Sequence, residues 1–337
     1  MKFGPVPLAQ AEGAILAHSV ATPQGRLRKG QWIGAQEMDR LREAGLAEVI
    51  VARPEPGEIH EDEAATRLAV ALVPDPQAAG LTLTRATTGR VNLLAAGPGV
   101  VELDAPRLTA LNRIDPMITL ATVPRHQQME AGRMVATIKI IPYAVSEASL
   151  DAAEVLLEGH RTLHLHRPVL KTAALVVTEI PGGAGEAGLP AIRDRLAALD
   201  MTLEHVETVP HRRDPLAQAL GDLRDADRYD LILVLTASAT SDSGDVVPAA
   251  IRAAGGTVER FGMPVDPGNL LVLGRLQGRD VIGLPGCARS PALNGADWVL
   301  SRLACGIPTG DAEIAAMGVG GLLKEIPTRP HPRRRRD

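Results

Sequence analysis

The chain has 337 residues, 45% hydrophobic and 23% charged, which is enough apolar material for one large core or two to three smaller ones and excludes a disordered chain. Its 36 basic and 40 acidic residues leave a formal charge of −4, which excludes a global attraction for nucleic acid or an anionic membrane, so an anionic ligand has to be met locally. Two Trp, two Tyr and two Phe exclude a stacking platform for single-stranded nucleic acid, and Cys287 and Cys305 alone supply neither a disulfide framework nor a four-ligand zinc set.

Pro5, Pro7 and Glu12 interrupt the apolar run that a signal peptide needs, and no later stretch is long and apolar enough to span a bilayer. With so few cysteines, a cytoplasmic protein without membrane contact is expected. Residues 1–80 are read as a small α/β segment. A helical pattern runs over Leu8–Leu16, a turn lies at Gln24-Gly25-Arg26, and a helix over Ala35–Ala44 stops at Gly45 before an apolar strand, Ala47–Val51. Ala64, Leu68, Ala71 and Leu72 share one face of a helix over Glu61–Val73, and Pro74, Pro76 and Gly80 then suggest a boundary near residue 80.

Residues 81–170 are predicted to form an α+β segment. Its strands are Arg90–Leu94, Val100–Leu103, Met134–Tyr143 and Thr162–Leu170, with helices over Ala105–Asn112 and Ala148–Leu157. His164 and His166 alternate on one strand face, a metal-compatible spacing. Without a third ligand nearby, a solvent-facing pair is the preferred reading.

From residue 171 to about 320 the pattern becomes a strict alternation of strand and helix. Strands Thr172–Thr178, Thr202–Val206, Leu231–Leu235, Leu270–Leu273 and Val281–Ile282 alternate with helices over Leu189–Leu199, Pro215–Leu223, Val247–Ala254 and Pro291–Ala304. Continuous apolar strands in such an alternation imply a mostly parallel sheet covered on both faces, a three-layer α/β/α fold preceded by a smaller α+β region. Ligands of such sheets sit beyond the carboxyl ends of the strands, which directs attention to the loops after Thr178, Leu235 and Leu284. Residues 321–337, with HPRRRRD at the end, are expected to be a flexible basic tail.

The first of these loops, Thr178 to Gly188, contains G-x-G-x-x-G. It permits a dinucleotide-dependent oxidoreductase, in which the glycines approach a pyrophosphate and Glu207 holds a ribose, but a Gly-rich loop before a helix is favoured over it. In the second, Thr236 to Pro248, small and hydroxyl residues leave room for a ligand. Asp245 suits a helix cap, and Asp242 with Asp245 forms a carboxylate pair suited to Mg²⁺ beside an anionic ligand. In the third, Gly283 to Pro291, Ser290 is expected to cap a helix beginning at Pro291, with Gly286 giving a tight turn and Arg289 completing a phosphate seat. Cys287 beside it suits a nucleophile or a small buried side chain, and the lack of a nearby histidine favours the latter.

Taken in order, these loops resemble those of the MoaB/Mog-type molybdopterin-binding domain and of the related gephyrin-type (MoeA-like) molybdopterin molybdenumtransferases. That family has a Thr-rich first loop, a G-G-x-S-x-G-x-x-D loop, a K-P-G-K-P loop and a P-G-N-P-x-S loop. The similar stretches here are Thr178–Gly183, Ala237–Asp245, Val265–Gly274 and Pro285–Ser290, within a domain of about 140 residues, and Asp214 falls where the family has an acidic residue. VPLAQAEGAILAHSV and the stretch Gly30–Val51 are similar to the family's leading segment, whereas its C-terminal β-barrel is not expected here.

The resemblance implies a pterin ligand, molybdopterin or the molybdenum cofactor, held by Thr178, Gly182, Gly183, Ser238, Thr240, Ser241, Pro267, Gly268, Asn269, Gly286, Cys287, Arg289 and Ser290. It places Asp214, Asp242 and Asp245 in catalytic positions, with Asp242 and Asp245 on Mg²⁺. The departures bear on activity: Ala237 and Ser238 replace the paired glycines, Thr240 the serine, Asp242 the next glycine, and Asn269 the lysine. Two functions follow, Mg²⁺-dependent molybdate insertion into adenylylated molybdopterin, or a non-catalytic carrier that hands cofactor to a molybdoenzyme or another biosynthetic protein. A homo-oligomer is a family-level expectation.

Overall fold

The computed structural model describes residues 1–323; the arginines of the expected tail lie outside the described residues. The chain divides into two units, residues 1–97 with 101–165, and residues 98–100 with the chain from His166 onward.

In the first unit, β1 (Lys2–Pro7) and β2 (Ile15–Leu16) flank β5 (Glu48–Arg53), both antiparallel to it. The helix expected over Leu8–Leu16 shrinks to a 3-10 turn, Leu8–Gln10. Gly13 turns the chain at a φ of +71°, and the backbone groups of Ile15 and Leu16 pair with Ala52 and Val51 instead of with a helix. A hairpin of β3 (Val20–Thr22) and β4 (Gly25–Leu27) and the helix α1 (Ala35–Glu43) close a small core of Leu16, Leu27, Met38, Leu41 and Val51.

β6 (Glu58–His60) leads directly into α2 (Glu61–Leu72). The boundary expected near residue 80 does not exist, because Leu68 and Leu72 of α2 are buried in one core with Leu93, Ile138, Leu150 and Leu165. Those partners come from a sheet of β7 (Leu81–Leu83), β8 (Arg90–Ala95), β10 (Ile118–Thr122) and β12 (Met134–Ile140), from α4 (Glu147–Leu157), and from β14 (Leu163–His166), which shares a sheet with β9 (Gly99–Leu103) and β11 (Gln128–Met129). α3 (Ala105–Leu111) follows β9, and β13 (Ala144–Ser146) pairs with β6. The last strand stops at His166, four residues short of the expected Leu170, as Pro168 interrupts it and the Val169 amide turns to Ala304 O at 2.7 Å.

The second unit is built on β17 (Leu231–Leu235), in which all five side chains are buried. A strand with no polar face has to be covered on both sides. It lies parallel to β15 (Thr172–Glu179) and β20 (Arg279–Leu284), and the full order is β16 (Thr202–Pro210), β15, β17, β20, β19 (Val272–Leu276), β18 (Thr257–Phe261). Only β19 runs against its neighbours; β18, at the edge, was not foreseen, its TVERF following directly on the Gly255-Gly256 stop.

Side chains alternate across this sheet. Leu175, Val177 and Leu233 pack against α5 (Leu189–Ala197), α8 (Gly295–Ala304) and α9 (Asp311–Ala316); Val176, Ile232 and Val234 pack against α6 (Arg213–Ala226) and α7 (Val246–Ala253). This is the three-layer α/β/α arrangement with a mostly parallel sheet. Each buried Leu, Ile or Val contributes about 1.5–3 kcal/mol relative to exposure. Leu233→Ala, at the middle of β17, is expected to lower the unfolding free energy of this unit by about 2–5 kcal/mol in urea titrations, with an unchanged fold by far-UV circular dichroism.

Candidate functional site

The register pairs Glu179 with Pro210, Leu235 with Leu284 and Gly283 with Val272. The loops after β15, β16, β17 and β20, and the loop entering β19, therefore meet along one edge of the sheet. The positions expected to bind ligand lie on these loops, save Thr178 at the end of β15.

Thr178 is fully buried at the end of β15, where its Oγ1 accepts from the Ala237 N–H at 2.9 Å and stands 2.9 Å from His211 Nδ1. It thus ties the first loop to the second. Gly182 and Gly183 form an exposed turn, with the Gly183 N–H donating to Ile180 O at 2.9 Å. In the second loop Ser238 and Ser241 are exposed and Thr240 is buried.

Asp245 caps α7, its Oδ1 accepting from Val246 N–H at 2.7 Å and its Oδ2 from Ser241 N–H at 3.0 Å. The Ser241 amide, with the Val246 amide and the charge of His211, holds its carboxyl below the usual carboxylate range. Asp242 Oδ1 accepts from Gly244 N–H at 2.7 Å.

The metal role expected of Asp242 and Asp245 is not supported by this geometry. Three of their four oxygens already accept backbone amides, and the described residues contain no group of three His, Cys, Asp or Glu side chains placed to hold a metal. The protein atoms present do not fit a bound Mg²⁺. Asp214 stands exposed at the start of α6, where the Arg213 guanidinium at 2.6 Å holds its carboxyl low. Neither its neighbours nor its pairing mark it as catalytic.

The third loop departs most from expectation. Arg289, expected to seat a phosphate, is turned to backbone carbonyls: its guanidinium donates from Nη1 to Gly185 O at 2.7 Å and to Ala187 O, and from Nη2 to Thr236 O at 3.0 Å. Burial lowers its pKa, yet the three carbonyl dipoles keep it engaged. Gly188, last glycine of the G-x-G-x-x-G, is needed because a Cβ there would lie 2.7 Å from Arg289 Cα, so this glycine serves the packing of the two loops.

Ser290 does not cap α8, and Pro291 stands outside it. α8 starts at Gly295 under a capping box, in which Asn294 Oδ1 accepts from Ala296 N–H at 2.9 Å and Asp297 Oδ2 from Asn294 N–H at 2.7 Å. Arg195 holds the segment before it extended, donating from Nη2 to Ser290 O at 2.7 Å and to Ala292 O at 3.1 Å.

Pro267 and Gly268 cover the same helix end. Pro267 O accepts from Gly295 N–H at 2.8 Å, and a Cβ on Gly268 would lie 2.6 Å from Gly295 N. The start of α8 is therefore closed to an anion. Asn269 is exposed at the rim, Gly286 is exposed, and Cys287 is half-buried. His164 and His166 are both partly exposed on β14, with His164 at 2.8 Å from the Arg161 guanidinium.

Four residues that build this edge were missed: Arg195, His211, Asn294 and Asp297. The N-x-x-D spacing of the last two is a readable capping signal, whereas Arg195 and His211 act through partners distant in sequence.

Residues 175–303 match a family model described as a probable molybdopterin binding domain, and residues 5–53 match a second model described as a domain of unknown function. The domain is of the MoaB/Mog type. No curated protein matches the chain.

Among solved structures, a molybdopterin biosynthesis MoeA protein from Pyrococcus horikosii is 12% identical over 90% of this chain and 75% of its own, with a TM-score of 0.31. NadC from Streptococcus pyogenes, 12% identical over 58% of this chain and 82% of its own, and the nicotinate-nucleotide pyrophosphorylase from Francisella tularensis, 10% identical over 60% and 92%, both have TM-scores of 0.17. Overlaps of that size carry no weight for function. Among the described residues no helix is long and apolar enough to cross a membrane.

Two consequences are measurable. Arg289→Met should lower stability by about 1–3 kcal/mol in chemical denaturation, since Thr236 O loses its donor, and Arg289→Lys should recover only part of that because one ammonium cannot reach three carbonyls. Asp245→Asn, which keeps a capping oxygen and removes only the charge, should be measurably less stable than wild type at neutral pH. The folded carboxyl of Asp245 lies below its ordinary value of 3.8, so its contribution is complete above that value and is lost as pH falls through the lowered one. The gap between wild type and Asp245→Asn should therefore close in acid, as read by urea midpoints between neutral pH and pH ~3.

Proposed function

We propose, from the premise that residues 175–303 form a MoaB/Mog-type domain, that the carboxyl edge of the sheet binds molybdopterin or the molybdenum cofactor and that the protein serves molybdenum cofactor biosynthesis. The observation that carries this reading is the family match over 175–303, whose loops converge on the strand ends where α/β sheets take their ligands. Ser238, Thr240 and Ser241, with the backbone amides of their loop, are the short polar groups proposed to orient the pterin. Gly182, Gly183, Asn269, Gly286 and Cys287 line the rim.

Holding the cofactor is favoured over inserting molybdate into it. Insertion assisted by Mg²⁺ needs carboxylates able to take a hard cation, and Asp242 and Asp245 are engaged with backbone amides. The cation that would face molybdate or a phosphate is also missing at Asn269. A carrier that passes cofactor to a molybdoenzyme suits this chemistry, with a cytoplasmic location and a homo-oligomer as the accompanying expectations.

Two measurements test the proposal. Oxidation of the purified protein after exposure to molybdopterin should release a stoichiometric fluorescent pterin derivative; no bound pterin would overturn it. Incubation with adenylylated molybdopterin, Mg²⁺ and molybdate should release no AMP above background. Turnover of AMP would make the protein a molybdenumtransferase.

A further inference from the structure

With Arg289 committed to carbonyls and the start of α8 closed, a phosphate on the pterin ligand has to find its donors elsewhere on the same edge. His211 follows β16 directly, and its N–H donates to Glu179 O at 2.8 Å, which fixes the residue across the end of β15. Its Nδ1 lies 2.9 Å from Thr178 Oγ1, a hydroxyl with no exposed surface that already accepts from the Ala237 N–H. A hydroxyl has one proton to give. With Ala237 donating inward, Thr178 can give that proton to Nδ1, the arrangement in which the ring carries its own proton on Nε2.

His211 Nε2 makes no hydrogen bond to the protein. The residue is half-buried, and the Asp245 carboxylate at the start of α7 is a charge that faces it. The neighbouring Arg212 is exposed and its guanidinium makes neither a hydrogen bond nor an ion pair. Two adjacent donors without protein acceptors thus stand where four loops meet.

We propose that His211 is a ligand-binding residue of this edge, donating Nε2–H to a phosphate oxygen of the bound pterin, and that Thr178 is the positioning residue that holds the ring in the required tautomer. This rests on the reading that the edge binds molybdopterin. It adds that the phosphate is recognised after β16, away from the Pro285–Ser290 loop. An imidazole N–H donor beside Arg212 suits a phosphate because the arginine supplies charge while the imidazole supplies direction.

The probes are the oxidised fluorescent pterin derivative of molybdopterin in its phosphorylated and dephosphorylated forms, titrated into the full chain. Wild type should bind the phosphorylated form at least tenfold more tightly. His211→Ala should lose about tenfold on that form and be unchanged on the other, while His211→Gln, whose amide nitrogen can occupy the Nε2 position, should restore most of the difference. Should His211→Ala fail to fold, His211→Asn, too short to reach, carries the same comparison.

Independently of any ligand, imidazole ¹⁵N shifts should show the Nε2–H tautomer in wild type and a mixture in Thr178→Val. Equal weakening of both pterin forms, no weakening, or an Nδ1–H tautomer in wild type would overturn the inference while leaving pterin binding intact. Wild type binding neither form would remove the reading beneath it as well.

Discussion

The second unit depends on a half-buried guanidinium that has carbonyls for partners. Arg289 reaches from the loop after β20 to Gly185 O and Ala187 O in the loop after β15, and to Thr236 O at the end of β17. Three backbone segments that share no local sequence are thereby held at fixed separations. Arg195 does the same one layer away, binding Ala288 O, Ser290 O and Ala292 O while its Nε meets Asp297. Short loops on parallel strands have little else to order them, since their backbone groups are beyond the ladder.

That bracing defines what the edge can offer a ligand. The charges of Arg289, Arg195, Asp297 and Asp245 are engaged within the protein, and beside the exposed Arg212 and Asp242 the edge offers hydroxyls, backbone amides, glycines and an imidazole. Such a surface suits orientation of a polar heterocycle by hydrogen bonds more than the polarisation of a reacting oxyanion, which calls for preorganised charge at the reacting atom. The replacement of a family lysine by Asn269 points the same way.

The first unit is organised by a different constraint. Residues up to Val51 close a small core of their own, and α2 then supplies one wall of a second core that extends to Leu165. Within that unit Glu61, the first residue of α2, is almost fully buried, and burial raises its pKa while Lys139 Nζ at 3.4 Å opposes the shift. Gly89 has to be glycine beside it, for a Cβ there would lie 2.5 Å from Glu61 Oε2 and 2.8 Å from Ile140 O, on a backbone with φ of +68°.

Burial periodicity was legible in the sequence because it is local. Leu231–Leu235 is apolar throughout and is covered on both faces, the alternation of strands with helices gave the layered α/β fold, and Asp245 was recognisable as a cap from its position before Val246 and Pro248. The order of the loops likewise carried the resemblance that the match over 175–303 supports. Partners were not legible. Arg289 and Gly185 are 104 residues apart, Thr178 and His211 are 33 apart, and the hydrogen bonds of such side chains are decided only when strand order brings the loops together. The sequence by itself determined which segments had to be buried, and hence the sheet and its ligand edge. Tertiary structure alone decided that an arginine suited to phosphate would brace three loops, and that a histidine with no motif around it would stand open at their meeting point.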